Sequence, residues 1–404
     1  MDFSIVDLTD EEEIFQTETR ELLTTLVTAD VRRRDRETGD NFNETVHLAL
    51  GARGYLAGDL LDESAGGFDA RRRRIWELES NRAQMPYFHW SLTQMVARIL
   101  QKFAARDLQD EVLPGVFSGE VRLCLGYTEP DGGSDVATCK TRAIRDDDTW
   151  IINGSKMFTT GAQNSRYVFL LTNTDPNGLR HKNLTMFLVP LGTPGIEIQP
   201  IRTVDGDRTN IVFYSDVRVA DRYRLGEVNG GWTVLRSALD DEHNVRDRAE
   251  HGLEDYSGLG QHAALTAAAI DNLLVTVAQP DAHGRRLLDD QSVRYRLGHS
   301  IARIEAALCT PGEMGRVAVA QTMRDISPHL MDLQGAASAV PIASDGGTDD
   351  QGAEHLYRLA APSCIYGGTV EVYRNMIAQN TLGLGRPAYA RPSGGSKPPS
   401  RGNA

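Results

Sequence analysis

The sequence predicts an α+β protein in which a strand-rich segment lies between two helical ones. Two observations carry that prediction. The apolar residues recur at the helical period up to about residue 120, at a period of two from Val121, and at the helical period again after Gly230-Gly231. The Gly, Pro, Asn and Asp residues that punctuate short strands are concentrated in the middle stretch. With 404 residues and 40% apolar side chains, the chain is long enough for two or three domains, each with a core of its own.

Residues 1–120 read as an N-terminal helical domain. Thr9 followed by Glu12 forms a capping-box pattern, and Ile14, Phe15, Leu22, Leu23 and Leu26 then share one helical face. A charged, glycine-containing stretch at 32–44 is expected to interrupt the helices, which return at Ile75, Trp76 and Leu78 and again from Trp90 to Phe103. The basic run Arg71 to Arg74 reads as a solvated helix face. Residues 121–229 read as a β-domain. Val121, Leu123 and Leu125 alternate, Asn153-Gly154 is a hairpin signal, and the apolar runs at 167–171, 184–191, 195–201 and 210–214 follow as strands. Residues 230–385 read as a helical domain, with helices from Trp232 to about Arg246, at 260–278 and at 288–322. The tail at 386–404, rich in Pro, Gly and Ser, is expected to be disordered.

Charge and composition exclude several functions. With 43 Lys and Arg against 56 Asp and Glu, the formal net charge is −13, which leaves no basic field for nucleic acid or an anionic membrane. Cys124, Cys139, Cys309 and Cys364 lie far apart and form no CxxC pair, so neither a zinc site nor a disulfide framework is indicated and a reducing, cytoplasmic setting is expected. The acidic start lacks the features of a signal peptide, and no window approaches the ~18 apolar residues of a membrane span. Gly132-Gly133-Ser134-Asp135 lacks the lysine of a P-loop, no GxGxxG opens a helix after a strand, and no serine stands in a GxSxG elbow.

Three separated segments are specific: LCLGYTEPDGGSDVATCKT at 123–141, WIINGSKMFTTGA at 150–162 and IYGGTVEVYRNMIAQNTLGLGRP at 365–387. Together, and in this order, they resemble the signatures of the acyl-CoA dehydrogenase family, with the resemblance running over roughly residues 5–385. The resemblance implies a helical N-terminal domain, a β-barrel-like middle domain and a C-terminal four-helix bundle. It also implies bound FAD. A flavin needs an apolar slab for its ring, hydroxyl or amide donors at its edges, and small residues beside its pyrophosphate. By resemblance Thr128 and Thr160 bond the ring, Ser134 with Gly132 and Gly133 meets the pyrophosphate, and Phe158 lies on the ring. Leu125, Tyr127, Thr369 and Glu371 are further flavin-side positions, and Ser134 and His243 are positions on the acyl-CoA side.

The implied reaction is α,β-desaturation of an acyl-CoA thioester, in which a carboxylate removes the α-proton and a hydride leaves the β-carbon for flavin N5. So weak an acid needs donors aimed at the enolate-like oxygen and a base whose pKa is raised by desolvation. In the family these donors are a flavin ribityl hydroxyl and a backbone N–H that here belongs to Gly367. The residue matching Gly367 is commonly the catalytic Glu, so the usual base is missing. A minority of the family carries it on the helix after the β-domain, and aligning Gly231-Trp232 places Glu242 there, with Asp240 or Glu371 as substitutes.

A second departure concerns assembly. The segment 280–284 lacks the Arg and Phe with which homotetrameric relatives grip a neighbour's pyrophosphate, and 332–336 lacks the leading Gln and final Gly of the adenine-side segment. This resembles the catalytic-type subunit of actinobacterial α2β2 acyl-CoA dehydrogenases, several of which act on steroid side-chain thioesters. An unlike subunit and an electron-transfer flavoprotein are the implied partners. The alternatives are a flavin oxidase of acyl-CoA or nitroalkane type and a non-catalytic partner subunit.

Overall fold

The computed structural model describes residues 7–242, 260–310, 312–340 and 352–385; His243 and the tail from residue 386 lie outside the described residues. Seven helices come first: α1 (Asp10–Leu26), α2 (Ala29–Thr38), α3 (Glu44–Ala52), α4 (Tyr55–Leu60), α5 (Ala70–Arg82), α6 (Phe88–Phe103) and α7 (Arg106–Ser118). The Thr9/Glu12 capping box forms as the pattern predicts, with Glu12 N–H donating to Thr9 and Thr9 N–H to Glu12. The charged stretch at 32–44 interrupts the helices only over 39–43. Thr28 caps α2, Arg33 pairs with Asp30 and Glu37 along its face, and the helix continues until Gly39 ends it at φ 63°. Long charged side chains lose little freedom in a helix, so glycine rather than charge sets the boundary. The basic run on α5 is more than a solvated face, since Arg71 and Arg72 reach Glu12 and Glu11 on α1.

Eight strands follow: β1 (Leu123–Gly126), β2 (Arg142–Asp146), β3 (Thr149–Lys156), β4 (Tyr167–Asn173), β5 (Leu184–Pro190), β6 (Ile196–Arg202), β7 (Arg208–Ala220) and β8 (Arg224–Leu225). They form one sheet along the path β6-β7-β3-β2-β4-β5-β8, with β1 pairing parallel to β4. The apolar runs of β4 and β5 are continuous because both faces are covered. Val168, Leu170, Phe187 and Val189 lie in a core within the β-segment. Their neighbours Phe169, Leu171, Met186 and Leu188 join a second core with α6 and α7.

Asn153-Gly154 makes no hairpin. β3 runs through it, and the turn from β2 falls one strand earlier, at Asp147 and Asp148. Gly154 takes a φ of 148° at a register shift against β7, and Asn153 and Asp216 exchange hydrogen bonds across that bulge. A strand glycine approached this closely by Thr141 marks a bulge rather than a turn.

The last helices are α8 (Gly231–Glu242), α9 (Gly260–Ala278), α10 (Gln291–Leu308), α11 (Gly312–Gln334), α12 (Ala353–Ala360) and α13 (Val370–Met376). The single periodic stretch expected at 288–322 is two helices, α10 ending at Leu308 and α11 described from Gly312. α8 buries Val234, Leu235 and Ala238 in the core shared with α6 and β5, whereas α9 to α13 build a third core of their own.

Candidate active site

The first signature folds into a loop after β1. Glu129 and Gly132 exchange backbone hydrogen bonds of 3.0 and 3.1 Å, a turn so tight that a Cβ on Gly132 would lie 2.6 Å from the Thr138 hydroxyl. Gly133 and Ser134 follow on the exposed rim. The flanking acids Asp131 and Asp135 are matched by Lys140 and Arg180, so the rim does not present bare negative charge to an anion. Leu125 and Tyr127 are half-buried, the Tyr127 ring packing edge-on against Phe169 at 5.7 Å.

A buried ion pair fixes this loop to β3. Lys156, with no exposed surface, donates to Glu129 at 2.8 Å and to the Tyr127 carbonyl at 3.1 Å. Glu129 also accepts from the backbone N–H groups of Lys140 and Thr141. Burial alone raises its pKa, but the Lys156 charge and these hydrogen bonds outweigh it and hold the carboxyl down at about 2. Immediately beyond, Met157 N–H donates to the Thr128 carbonyl at 2.9 Å, which brings Thr128 beside Phe158.

Phe158 is 53% exposed and has a φ of 59°. A bulky residue is rare in that backbone region, so the fold spends conformational strain to show an aromatic face to solvent. Thr160 is half-buried, its hydroxyl 3.0 Å from that of Thr209. Asn210 holds the segment from behind, donating to the Thr159 carbonyl at 3.0 Å and to Gln163, which in turn donates to Asp40. Gly161, at φ 76°, closes the turn against α6, where His89 donates to its carbonyl at 2.9 Å and a Cβ would collide with the imidazole. Burial drives the His89 pKa down to about 4, so the ring is a neutral donor at neutral pH.

The C-terminal signature arrives from the other side. Phe88, the residue before His89, packs its ring 6.4 Å from that of Tyr366. The start of α6 therefore touches both the Thr160-Gly161 turn and the Tyr366 turn. Gly367 and Gly368 both have positive φ, 60° and 88°, and Thr369 caps α13 by accepting from Val372 N–H. Tyr366 is anchored by a hydrogen bond to His262, and Arg316 donates to the carbonyls on either side of Gly367. Glu371 is exposed on the first turn of α13, while Glu242 is the last described residue of α8, which packs on α6 and β5.

An exposed ring, two nearby hydroxyls and a small-residue rim with balanced charge suit a flavin: Phe158 for the ring, Thr128 and Thr160 for its edges, Gly133 and Ser134 for the pyrophosphate. Sequence reasoning gave no role to Lys156, His89 or Arg316. Lys156 had a signal, since it shares strand parity with buried Trp150 and Ile152. Among the described residues no cluster of metal-ligating side chains occurs, and no helix is long and apolar enough to cross a membrane.

Known proteins agree with this architecture. Residues 9–120, 124–217 and 258–382 match the N-terminal, middle and C-terminal domains of acyl-CoA dehydrogenase. The chain is 30% identical over 399 residues to acyl-CoA dehydrogenase FadE29 of Mycobacterium tuberculosis, covering 94% of this chain and 99% of the relative. Among solved structures it resembles the Tcur3481-Tcur3483 steroid ACAD, with a TM-score of 0.81 at 28% identity, covering 95% of this chain and all of that one. It also resembles the ChsE4-ChsE5 complex from Mycobacterium tuberculosis, with a TM-score of 0.79 at 25% identity, covering 95% of this chain and all of the other. Three consecutive domains and a full-length relative establish that the chain belongs to the acyl-CoA dehydrogenase family.

Proposed function

We propose that this acyl-CoA dehydrogenase is the catalytic-type subunit of a heteromeric, FAD-dependent enzyme for steroid side-chain CoA thioesters, with Glu242 as its base. The observation that carries the reading is the meeting of two signatures at the start of α6, where Phe88 contacts Tyr366 and His89 holds Gly161. The flavin-side residues Phe158 and Thr160 and the donor-side Gly367 thus share one anchor. The steroid substrate and the unlike partner are supported by the two heteromeric neighbours and by the degraded segments at 280–284 and 332–336.

In this reading Phe158, Thr128, Thr160, Gly133 and Ser134 hold FAD, with Leu125, Tyr127, Thr369 and Glu371 around them. When bound, FAD supplies the two-electron oxidation by accepting the hydride from the β-carbon. Glu242 takes the α-proton on its carboxylate, and Gly367 N–H donates to the thioester oxygen as negative charge builds there. Glycine at 367 carries no carboxylate to compete with Glu242 and lets the backbone approach the thioester. Ser134 and His243 serve the acyl-CoA side.

The test is co-expression with an unlike acyl-CoA dehydrogenase subunit, a flavin count, and anaerobic flavin bleaching by a panel of thioesters that includes steroid side-chain CoAs. Glu242→Gln keeps size and hydrogen bonding but not basicity, so it should retain flavin and bind thioester while bleaching at least ~100-fold more slowly. Normal bleaching in Glu242→Gln, with loss in Asp240→Asn or Glu371→Gln, would overturn the assignment of the base.

A further inference from the structure

Arg316 on α11 is a guanidinium with only 4% of its surface exposed, and among the described residues no carboxylate pairs with it. A buried charge without a counter-ion is costly, and folds keep one where its hydrogen bonds serve a purpose. Its Nη2 donates to the Tyr366 carbonyl at 2.8 Å and to the Gly368 carbonyl at 3.4 Å, which bracket Gly367. Its Nη1 is buried with no hydrogen-bond partner, and the guanidinium carbon lies 5.4 Å from the centre of the Tyr373 ring.

The geometry points to Arg316 as a positioning residue that aims and strengthens the Gly367 N–H as a donor to the thioester oxygen. The inference rests on the reading of Gly367 as that donor. The Tyr366 carbonyl and the Gly367 N–H belong to one planar trans peptide, so they point in opposite directions. A guanidinium fixed on the carbonyl therefore fixes where the N–H points, away from α11. It also polarises the amide, because a hydrogen bond accepted at the oxygen makes the N–H a better donor. The need for such a clamp follows from sequence. Two successive glycines at positive φ leave the turn with more conformational freedom than any other pair of residues, and no side chain at 367 is available to restrain it. The Tyr366 to His262 hydrogen bond anchors the side chain of the same residue, leaving the peptide plane to Arg316.

The test uses the flavin-loaded enzyme and the thioester bleached fastest in the panel above, labelled with 13C at its carbonyl. Difference infrared spectra read the carbonyl stretch, which falls when donors polarise the bond. The wild type should show a lowered stretch. Arg316→Gln should show a smaller shift and bleach about 10- to 100-fold more slowly, short of the full loss of an oxyanion donor. Its thioester affinity should stay within about threefold of wild type, since the contact acts mainly on the transition state. Arg316→Lys, which keeps the charge but not the planar guanidinium fork, should restore only part of the shift and of the rate. A full shift and rate in Arg316→Gln, with only thermal stability reduced, would overturn the inference and leave Arg316 as a staple between α11 and α13. A wild type with no shift would instead remove the reading of Gly367, and this inference with it. If Arg316→Gln does not fold, Arg316→Lys decides, because an intermediate shift supports the clamp and an unaltered one overturns it.

Discussion

Lys156 and Glu129 join the two halves of the flavin-side signature through a pair that is almost wholly removed from water. Removing one partner of such a pair strands the other charge, which typically costs about 3–5 kcal/mol, whereas replacing both with apolar groups costs far less. Lys156→Met should therefore destabilise the protein strongly, and Lys156→Met with Glu129→Leu should recover much of the loss in chemical denaturation. The pair also has a pH signature. Its carboxyl is held at about 2 in the folded state, below its ordinary value, so the unfolded chain binds the proton more readily between the two pKa values. The stability lost in Glu129→Gln should be constant above pH ~5 and should shrink as the pH falls toward ~2. A difference independent of pH would show that the charge of Glu129 contributes nothing. Sequence proposed Thr128, Ser134, Phe158 and Thr160 for the candidate site by resemblance of the motifs. It hid Arg316, because its partners lie 50 and 52 residues away and a lone Arg in a helical pattern looks like surface.

The hairpin joining β6 to β7, like the start of α6, ties the three regions together. Gly39 lies so close to Gly206 that a Cβ would fall 2.3 Å from its carbonyl oxygen, Arg202 donates to the Thr38 carbonyl, and Arg358 on α12 donates to the Val204 carbonyl. The cost of this docking is borne by Asp207. Burial, then the charges of Asp205 and Asp35, push its pKa up to about 7 against the opposing effects of Asn41 and Arg358. A carboxyl with a raised folded-state pKa binds its proton more tightly when folded, so its contribution to stability falls as the pH rises from ~4 to ~7. Asp207→Asn, which stays neutral, should match the wild type near pH 4 and exceed it at pH 8 in denaturation midpoint. An equal difference at both pH values would assign the effect to packing instead. The hairpin's existence was legible in the alternation on either side of residues 203–207, but its role was not, since docking depends on the distant Gly39. Asn153-Gly154 shows the reverse failure. Its local chemistry favours a turn, and pairing with both β2 and β7 overrides that preference by drawing β3 straight through it.

For the whole molecule, the order of helices, sheet and helices was legible because each switch of period spans many residues, whereas assembly turns on a few missing side chains at an outer surface. In homotetrameric relatives a neighbour's Arg grips the flavin pyrophosphate, and charge-assisted contacts of that kind contribute about 1.5–3 kcal/mol, or roughly one to two orders of magnitude in affinity. In this chain the matching turn offers Pro280 and Asp281. The nearby cations are already engaged, Arg285 with Asp281 at 2.9 Å and Arg286 with Asp289 at 2.8 Å, both pairs on the surface. Releasing either Arg toward a neighbour's phosphates would leave an acid facing the same anion. The chain alone should therefore hold FAD weakly, whereas a complex with an unlike subunit that supplies the Arg should hold one FAD per unlike pair. Native mass spectrometry with flavin absorbance on the chain alone and on the co-expressed pair reads both quantities. A stable, active homotetramer carrying one FAD per chain would refute the heteromer, and would require Arg285 or Arg286 to exchange its present carboxylate for the pyrophosphate of a neighbouring copy.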